Sequence, residues 1–124
     1  MDRVIRISAG GIVIQQDKIL LVTHGAAMHG KDVLVAPGGG VEGDETLPDA
    51  AAREVKEETG LTVTPGKILI VEDMISRRKR VIKTWFLCSL SGGRLARTRN
   101  AVQEGIIGAG WYSREDLSDS LVRP

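Results

Sequence analysis

The chain contains several short apolar runs whose spacing is typical of β-strands. Residues 3–14 are rich in Val and Ile and alternate in part with polar positions, and a second run at 18–23 follows a turn at Gln16 and Asp17. These two runs predict a strand and its returning neighbour. Further strands are predicted at 33–36, 61–64, 67–71, 81–90 and 110–112, with turns at 65–66, 76–80 and 91–94.

Residues 46–59 have the composition and end signals of a helix. Thr46 is placed as the N-cap with Asp49 three residues later, and Pro48 lies in the first turn. A run of alanines favours helix in the interior, and Gly60 provides a C-terminal stop. The sequence therefore predicts one central helix.

A second helix is predicted near the end of the chain. Ser113 with Asp116 has the spacing of an N-terminal capping pair, and Leu117 and Leu121 follow on the helix it would start. Several strands with a central and a terminal helix predict an α/β or α+β fold, in which a mixed β-sheet is flanked by helices. At 124 residues and without a linker, the chain is expected to be one domain over residues 1–124.

Composition and charge narrow the class of protein. The chain is 42% hydrophobic and 27% charged, as globular proteins are, and its net charge of +1 favours neither nucleic acid nor a membrane surface as a partner. No apolar run is long enough for a spanning helix, and the charged N-terminus does not resemble a signal peptide. Cys88 is the only cysteine, which excludes an internal disulfide. A cytoplasmic protein is expected.

Three glutamates on the central helix are the first sign of chemistry. Glu54, Glu57 and Glu58 are spaced i, i+3 and i+4, so their carboxylates share one face and repel one another. A hard cation such as Mg²⁺ or Mn²⁺ removes this repulsion. Taken alone, such a face is more often solvated surface, with Arg53 and Lys56 as ordinary ion-pair partners.

The glycines in front of the helix make the solvated-surface interpretation untenable. Pro37 and the three glycines 38–40 stop a strand and predict a loop with bare backbone groups, which can complete a metal shell or face a phosphate. Gly10 and Gly11 within the first strand likewise indicate a bulge or a close approach of another group.

The glycine loop and the helix together form a specific pattern. From Gly39 the sequence has five residues, Glu45, seven residues, and then Arg-Glu-Val-Lys-Glu-Glu-Thr-Gly-Leu at 53–61. A chance match to the seven fixed and two aliphatic positions is on the order of 10⁻⁷ for one chain. Residues 39–61 resemble the Nudix box, and the chain is similar to members of the Nudix hydrolase superfamily. Its small size resembles that of the MutT-like members.

The resemblance implies an α/β/α sandwich whose loop–helix–loop holds one to three divalent ions, Mg²⁺ or Mn²⁺. It makes Glu54, Glu57, Glu58 and the main-chain carbonyl of Gly38 the metal ligands. It implies hydrolysis of a phosphoanhydride bond, with a carboxylate that takes a proton from the attacking water. Glu57 or Glu54 fits this role within the box, and Glu104 is the best candidate outside it.

Other positions of the box have supporting roles by the same resemblance. Arg53 is expected to orient one of the glutamates through a charge-assisted hydrogen bond, and is counted with the catalytic residues. Glu45 is expected to brace the loop on the helix. Gly39 and Gly60 are expected to be needed for backbone geometry at its two ends.

Substrate contacts are less well marked. Trp85 and Tyr112 are candidates for stacking a base, and Arg78 for guiding a polyphosphate. Core packing for Trp85 and a solvated hairpin tip for Arg78 are the favoured interpretations. The expected substrate is a nucleoside diphosphate linked to another group, with a nucleoside triphosphate or an oxidised nucleotide in first place. ADP-ribose or a nucleotide sugar is the alternative.

Three other functions compete with hydrolysis. Relatives of isopentenyl diphosphate isomerase share the fold but need a catalytic cysteine, for which Cys88 is the only candidate. Nucleotide-sensing domains commonly lose box glutamates, and all are intact here. A calcium module would show the alternating ligands of an EF-hand, which are absent. By analogy with the family, a homodimer is also considered.

Overall fold

The structure, a computed structural model, describes residues 2–26, 30–118 and 122–123. Most of these residues lie in β-strands, with a helix after the fourth strand and a short helix after the sixth. In chain order they are β1 Val4–Gln15, β2 Lys18–His24, β3 Val33–Val35, β4 Gly38–Gly40, α1 Leu47–Thr59, β5 Leu61–Ile75, β6 Lys79–Gly93, α2 Arg99–Gln103, β7 Ile106–Tyr112 and β8 Val122–Arg123.

The strands form one mixed sheet in the order β5-β6-β1-β2-β3-β8, with β4 on β1 and β7 on β2. β1 runs parallel to β6 from the pair Val4–Lys79 to the pair Val13–Cys88. Its other edge is antiparallel to β4 and then to β2. The mixed sheet with its helices confirms the predicted fold class.

Helix α1 packs on the sheet through its small apolar side chains. Ala50, Ala51 and Val55 are fully buried against a cluster that includes Val13. The helix lies close because β1 carries a glycine beneath it: a Cβ on Gly11 would lie 2.8 Å from Val55 Cγ2. Gly11 therefore serves the close approach that the sequence indicated.

Two predicted elements in the first part of the chain differ from the structure. The glycines 38–40 form strand β4 rather than a loop, because their backbone pairs with residues 8–10 of β1. The predicted turn at 65–66 lies inside the continuous strand β5, where a register shift between Pro65 and Ile68 absorbs the irregular backbone. Proline is tolerated there because β5 is an edge strand in the described sheet.

The chain after β6 also differs from the prediction. Helix α2, with only five residues, is too short to show a periodicity in the sequence. Ser113 and Asp116 do bond each other as a capping pair, but residues 114–118 form turns instead of a helix. Leu121 lies outside the described residues. No helix in the described part of the chain is long and apolar enough to cross a membrane.

Candidate metal-binding site on helix α1

Helix α1 begins and ends where the sequence predicted, which fixes the direction of its acidic face. The Asp49 amide donates to Thr46 Oγ1 at 3.2 Å, and Gly60 ends the helix with φ +84°. Glu54 and Glu58, one turn apart, are 4% and 3% exposed. Buried carboxylates are costly unless a partner compensates their charge, so this face is not ordinary solvated surface.

The two buried glutamates meet a third carboxylate from outside the box. Ligand oxygens of Glu54, Glu58 and Glu104 all lie within 4.8 Å of one another. Glu104 is exposed and stands at the C-terminal end of α2, immediately before β7. Oε2 of Glu54 is buried and has no hydrogen-bond partner, which leaves an acceptor available for a cation.

The electrostatics of the three carboxylates also favour a cation. Burial raises the pKa of Glu58 well above its ordinary range, and the hydrogen bond and charge of Glu54 add to this, followed by the charge of Glu104. The pKa of Glu104 is raised by burial first and then by the charges of Glu54 and Glu57. Both shifts show that the negative charges are unfavourable next to one another, and Mg²⁺ or Mn²⁺, which prefer carboxylate oxygens, would remove this repulsion.

Glu57 is placed differently from its two neighbours. Its Oε2 accepts from Arg53 Nη1 at 2.8 Å, and its Oε1 lies 3.5 Å from Asn100 Nδ2. In the described chain, the group of three close carboxylates contains Glu104 and not Glu57. Both oxygens of Glu57 therefore point to donors from the protein.

Arg53 connects the loop to the helix. Its Nε donates to Glu45 Oε2 at 2.6 Å, and its Nη2 donates to Glu45 Oε1 and to the Gly40 carbonyl, both at 2.9 Å. Nη1 donates to Glu54 Oε1 at 3.0 Å as well as to Glu57. The pKa of Arg53 is raised, mainly by its bonds to Glu45, so the guanidinium stays charged and holds these groups in place.

The glycines of β4 lie against the carboxylates. A Cβ on Gly39 would lie 2.7 Å from Glu54 Oε2, so only glycine leaves room for that side chain. The amide of Gly38 donates to Glu58 Oε1 at 3.3 Å. Gly60, with its left-handed φ, lets the chain leave the helix.

The segment that leads into α2 is part of the site, although few local signals mark it. Thr98 caps α2 by accepting from the Ala101 amide at 2.9 Å, and its hydroxyl donates to the carbonyl of Glu57. A threonine cap without a Glu or Gln three residues later lacks the capping-box signature, so the contribution of Thr98 and Asn100 was missed.

A cleft of about 260 Å³ opens beside Glu58. One wall comes from the segment before α2 and the other from the beginning of β7. Its lining is aliphatic apart from the glutamate and one arginine, and consists of Glu58, Leu95, Ala96, Arg97, Ala101, Ile106, Gly108 and Ala109. The cleft therefore has space for an organic group next to the carboxylates.

Two of the expected substrate contacts lie elsewhere. Arg78 is in the turn before β6, where its carbonyl accepts from the Val4 amide at 2.9 Å. Gly38 pairs with Gly10, six residues further along β1, so Arg78 is on the order of 20 Å from Gly38 at about 3.3 Å per residue. Tyr112 is at the far end of β7 from the cleft, paired with Ile19.

The structure also places Trp85 and Cys88 in the interior. Trp85 is 2% exposed, and Gly10 lies against its ring, so the ring offers no open face to a base. Cys88 is buried in the core beneath α1, and burial raises the pKa of its thiol to about 11. A thiol of this kind is unreactive, which argues against the isomerase alternative.

Comparison with known proteins shows which sequences this chain resembles. A family model described as NUDIX domain matches residues 4–124. The 8-oxo-dGDP phosphatase NUDT18 of Mus musculus is 36% identical over 107 residues, which cover 86% of this chain and 32% of that protein. An ADP-ribose pyrophosphatase of Methanocaldococcus jannaschii is 36% identical over 91 residues, 72% of this chain and 53% of that protein. The chain thus spans about a third and about half of these two relatives.

Solved structures show the same fold. A NUDIX hydrolase from Nitrosomonas europaea superposes with a TM-score of 0.77 at 24% identity, over 90% of this chain and 74% of that chain. An ADP-ribose pyrophosphatase from Streptococcus suis gives a TM-score of 0.73 at 26% identity, over 94% and 78%.

Proposed function

The chain belongs to the NUDIX domain family, and on that premise we propose that it is a metal-dependent hydrolase of a phosphoanhydride bond. The observation that carries the proposal is the cluster of Glu54, Glu58 and Glu104, whose ligand oxygens lie within 4.8 Å of one another. The cluster is anchored on a buried helix face and opens onto a cleft of about 260 Å³. Residues 1–124 are proposed to form a single catalytic domain.

The residues present fit a divalent cation. The orphaned Oε2 of Glu54 and the burial of Glu58 are both explained if one or more Mg²⁺ or Mn²⁺ ions bind there. We assign Glu54 and Glu58 to the cation, with Glu104 beside it, and retain Glu57 and the Gly38 carbonyl as the further ligands that the family resemblance implies. Bound there, a divalent cation supplies charge neutralisation of the phosphate oxygens and acidifies a coordinated water.

The chain's own residues then have distinct tasks. Glu104, the most exposed of the three carboxylates, is proposed to take the proton of the attacking water. Its ligand oxygen lies within 4.8 Å of those of Glu54 and Glu58, so it is close to where a water held by the cation would lie. Arg53 holds Glu54 and Glu57 in fixed orientations through its Nη1.

The proposed substrate is a nucleoside diphosphate derivative. An oxidised nucleoside diphosphate or triphosphate is the first candidate, supported by the 36% identity to 8-oxo-dGDP phosphatase NUDT18. ADP-ribose is the second, supported by the equal identity to an ADP-ribose pyrophosphatase. The aliphatic cleft beside Glu58 is proposed to take the organic part of the substrate.

The test is a release assay for phosphate and pyrophosphate over oxidised and normal nucleotides, ADP-ribose and nucleotide sugars, with Mg²⁺ and with Mn²⁺. Glu58→Gln is expected to lose at least about a hundredfold in turnover, within the range that a general base or a metal-site donor contributes. Glu115→Gln, an exposed turn residue, serves as the control and is expected to match the wild type. A wild type that hydrolyses no compound of the panel contradicts the proposal and favours a nucleotide-sensing domain.

A further inference from the structure

Lys83, on β6, is a cation with an unusual environment. Its side chain is half-buried, and its Nζ lies 4.3 Å from the centroid of the Trp85 ring. The ring is fixed in turn, because Trp85 Nε1 donates to Glu72 Oε1 at 2.6 Å. Among the described residues the structure gives Lys83 no carboxylate within ion-pair distance.

Two glycines on neighbouring strands make room for this arrangement. A Cβ on Gly10 would lie 2.4 Å from Cζ3 of Trp85, and a Cβ on Gly38 would lie 3.0 Å from Cε of Lys83. The ring can therefore pack against β1, and the lysine stem against β4, only because both positions are glycine. As a result, the end of the lysine side chain is held beside Gly38, whose amide bonds Glu58.

A lysine held in this way has a cost that an anion would remove. The side chain is half-buried against the Trp85 ring, so the ammonium group is only partly hydrated. The cation–π contact compensates only part of the lost hydration. The side chain is a compact point charge, and phosphate oxygens are among its usual partners.

We propose that Lys83 binds a phosphate group of the substrate at the Gly38 end of β4. The inference rests on the proposed function. There the cation held by the carboxylates contacts the phosphates, and Lys83 adds a second contact to them at the same site. Gly10 and Gly38 are the structural elements that keep this contact in place, and Trp85 is the platform beneath it rather than a base-stacking residue.

The first experiment compares Lys83→Met and Lys83→Arg with a matched control. Lys79→Met removes an exposed lysine of the same strand, four residues away and on the same face. Lys83→Met is expected to raise KM for the best substrate by roughly tenfold or more, with a smaller effect on kcat, because one charge-assisted bond is lost. Lys83→Arg keeps the charge and is expected to raise KM less than Lys83→Met does, and Lys79→Met is expected to match the wild type.

A second experiment is independent of turnover. Calorimetry measures the binding of inorganic pyrophosphate with Mg²⁺, and a Trp111→Phe background isolates the fluorescence of Trp85. Pyrophosphate is expected to change the Trp85 emission, and Lys83→Met is expected to weaken pyrophosphate binding to the same extent as it raises KM. If Lys83→Met does not fold, the Trp111→Phe protein with Lys83 intact still tests the inference through the response of its Trp85 emission to pyrophosphate.

Unchanged KM and unchanged pyrophosphate affinity in Lys83→Met overturn the inference, as does a silent Trp85. A variant that loses thermal stability but keeps the wild-type KM shows that Lys83 only supports the ring, and overturns it too. These results are distinct from a failure of the proposed function, in which the wild type hydrolyses no compound whether or not it binds pyrophosphate through Lys83.

Discussion

Oε2 of Glu54 is a buried acceptor without a donor, and Gly39 is the residue that gives it space. Such an atom costs free energy in the metal-free protein, because its hydration has been lost without replacement. Gly38 contributes an amide to the neighbouring Glu58, so β4 contacts both buried carboxylates. The geometry of the site thus depends on residues without side chains.

Gly39→Ala and Gly40→Ala form a matched pair that tests this dependence. The methyl group that Gly39→Ala introduces would overlap with the Glu54 carboxylate, so this variant is expected to lose at least about tenfold in turnover, as displaced catalytic groups do. A Cβ at Gly40 meets nothing within 4 Å, and that variant is expected to keep wild-type activity. Equal activities of the two variants in the release assay would contradict the role given to Gly39.

The titration of Glu58 predicts how stability depends on pH without metal. Its pKa is raised in the folded state, so its contribution to stability is complete below the ordinary carboxyl pKa and is lost as the pH rises toward the folded value. In EDTA, the wild type is expected to lose stability from about pH 6 to pH 8, by up to about 1.4 kcal/mol per pH unit from this group.

The measurement is chemical unfolding at several pH values. Glu58→Gln cannot titrate at this position, so its stability should vary less with pH over the same interval. Parallel curves for the two proteins would show that Glu58 is not the group responsible.

At the residue level the sequence predicted a large part of the site. The i, i+4 spacing placed Glu54 and Glu58 on one face, and the structure buries both. Spacing alone did not separate Glu57 from them, because its orientation depends on Arg53 and on Asn100 from a distant segment. The surroundings of Trp85 were also outside local reasoning, since they depend on Gly10 across the strand pair.

Helix α1 is the element whose position determines the site, and its N-terminal cap is local. Thr46 Oγ1 accepts a hydrogen bond from the Asp49 amide. This bond satisfies one of the backbone N–H groups of the first turn that have no acceptor within the helix. Thr46→Ala is expected to lower stability by about 1 kcal/mol, which corresponds to a decrease in Tm of roughly 3–6 °C for a domain of this size. Thr46→Ser keeps the hydroxyl and is the control.

Calorimetric Tm values decide the outcome. A Thr46→Ala variant as stable as Thr46→Ser would show that the cap contributes nothing measurable.

Elements with strong local signals, such as α1 and the β1–β2 hairpin, were predictable from the sequence because their end signals and turns are local. Helix α2 and strand β4 were not, because tertiary pairing determines them, as with the bond of Thr98 to the Glu57 carbonyl.

At the scale of the whole molecule, strand β5 leaves apolar surface uncovered. In the described sheet it is an edge strand, paired only with β6. A long apolar edge is a template for pairing with another chain, and a two-fold axis would bring two copies of the same strand together. The exposed apolar side chains of β5 are Ile68, Leu69, Ile70, Val71, Met74 and Ile75.

A homodimer through β5 is therefore the assembly that we propose. Sedimentation or light scattering is expected to give twice the monomer mass for the wild type and the monomer mass for Val71→Lys, because a charge on the edge opposes pairing. Ile107→Lys, on β7, also replaces an exposed apolar residue and is expected to remain dimeric. A monomeric wild type would exclude this assembly.

The most direct test of the whole account is the binding of Mn²⁺, followed by the loss of its free paramagnetic resonance signal. The account predicts that the wild type takes up Mn²⁺ with or without pyrophosphate, that Glu54→Gln combined with Glu58→Gln abolishes this uptake, and that Glu115→Gln leaves it unchanged. A wild type that takes up no Mn²⁺ even with pyrophosphate present, or a double variant that binds it equally well, would contradict the assignment of the site.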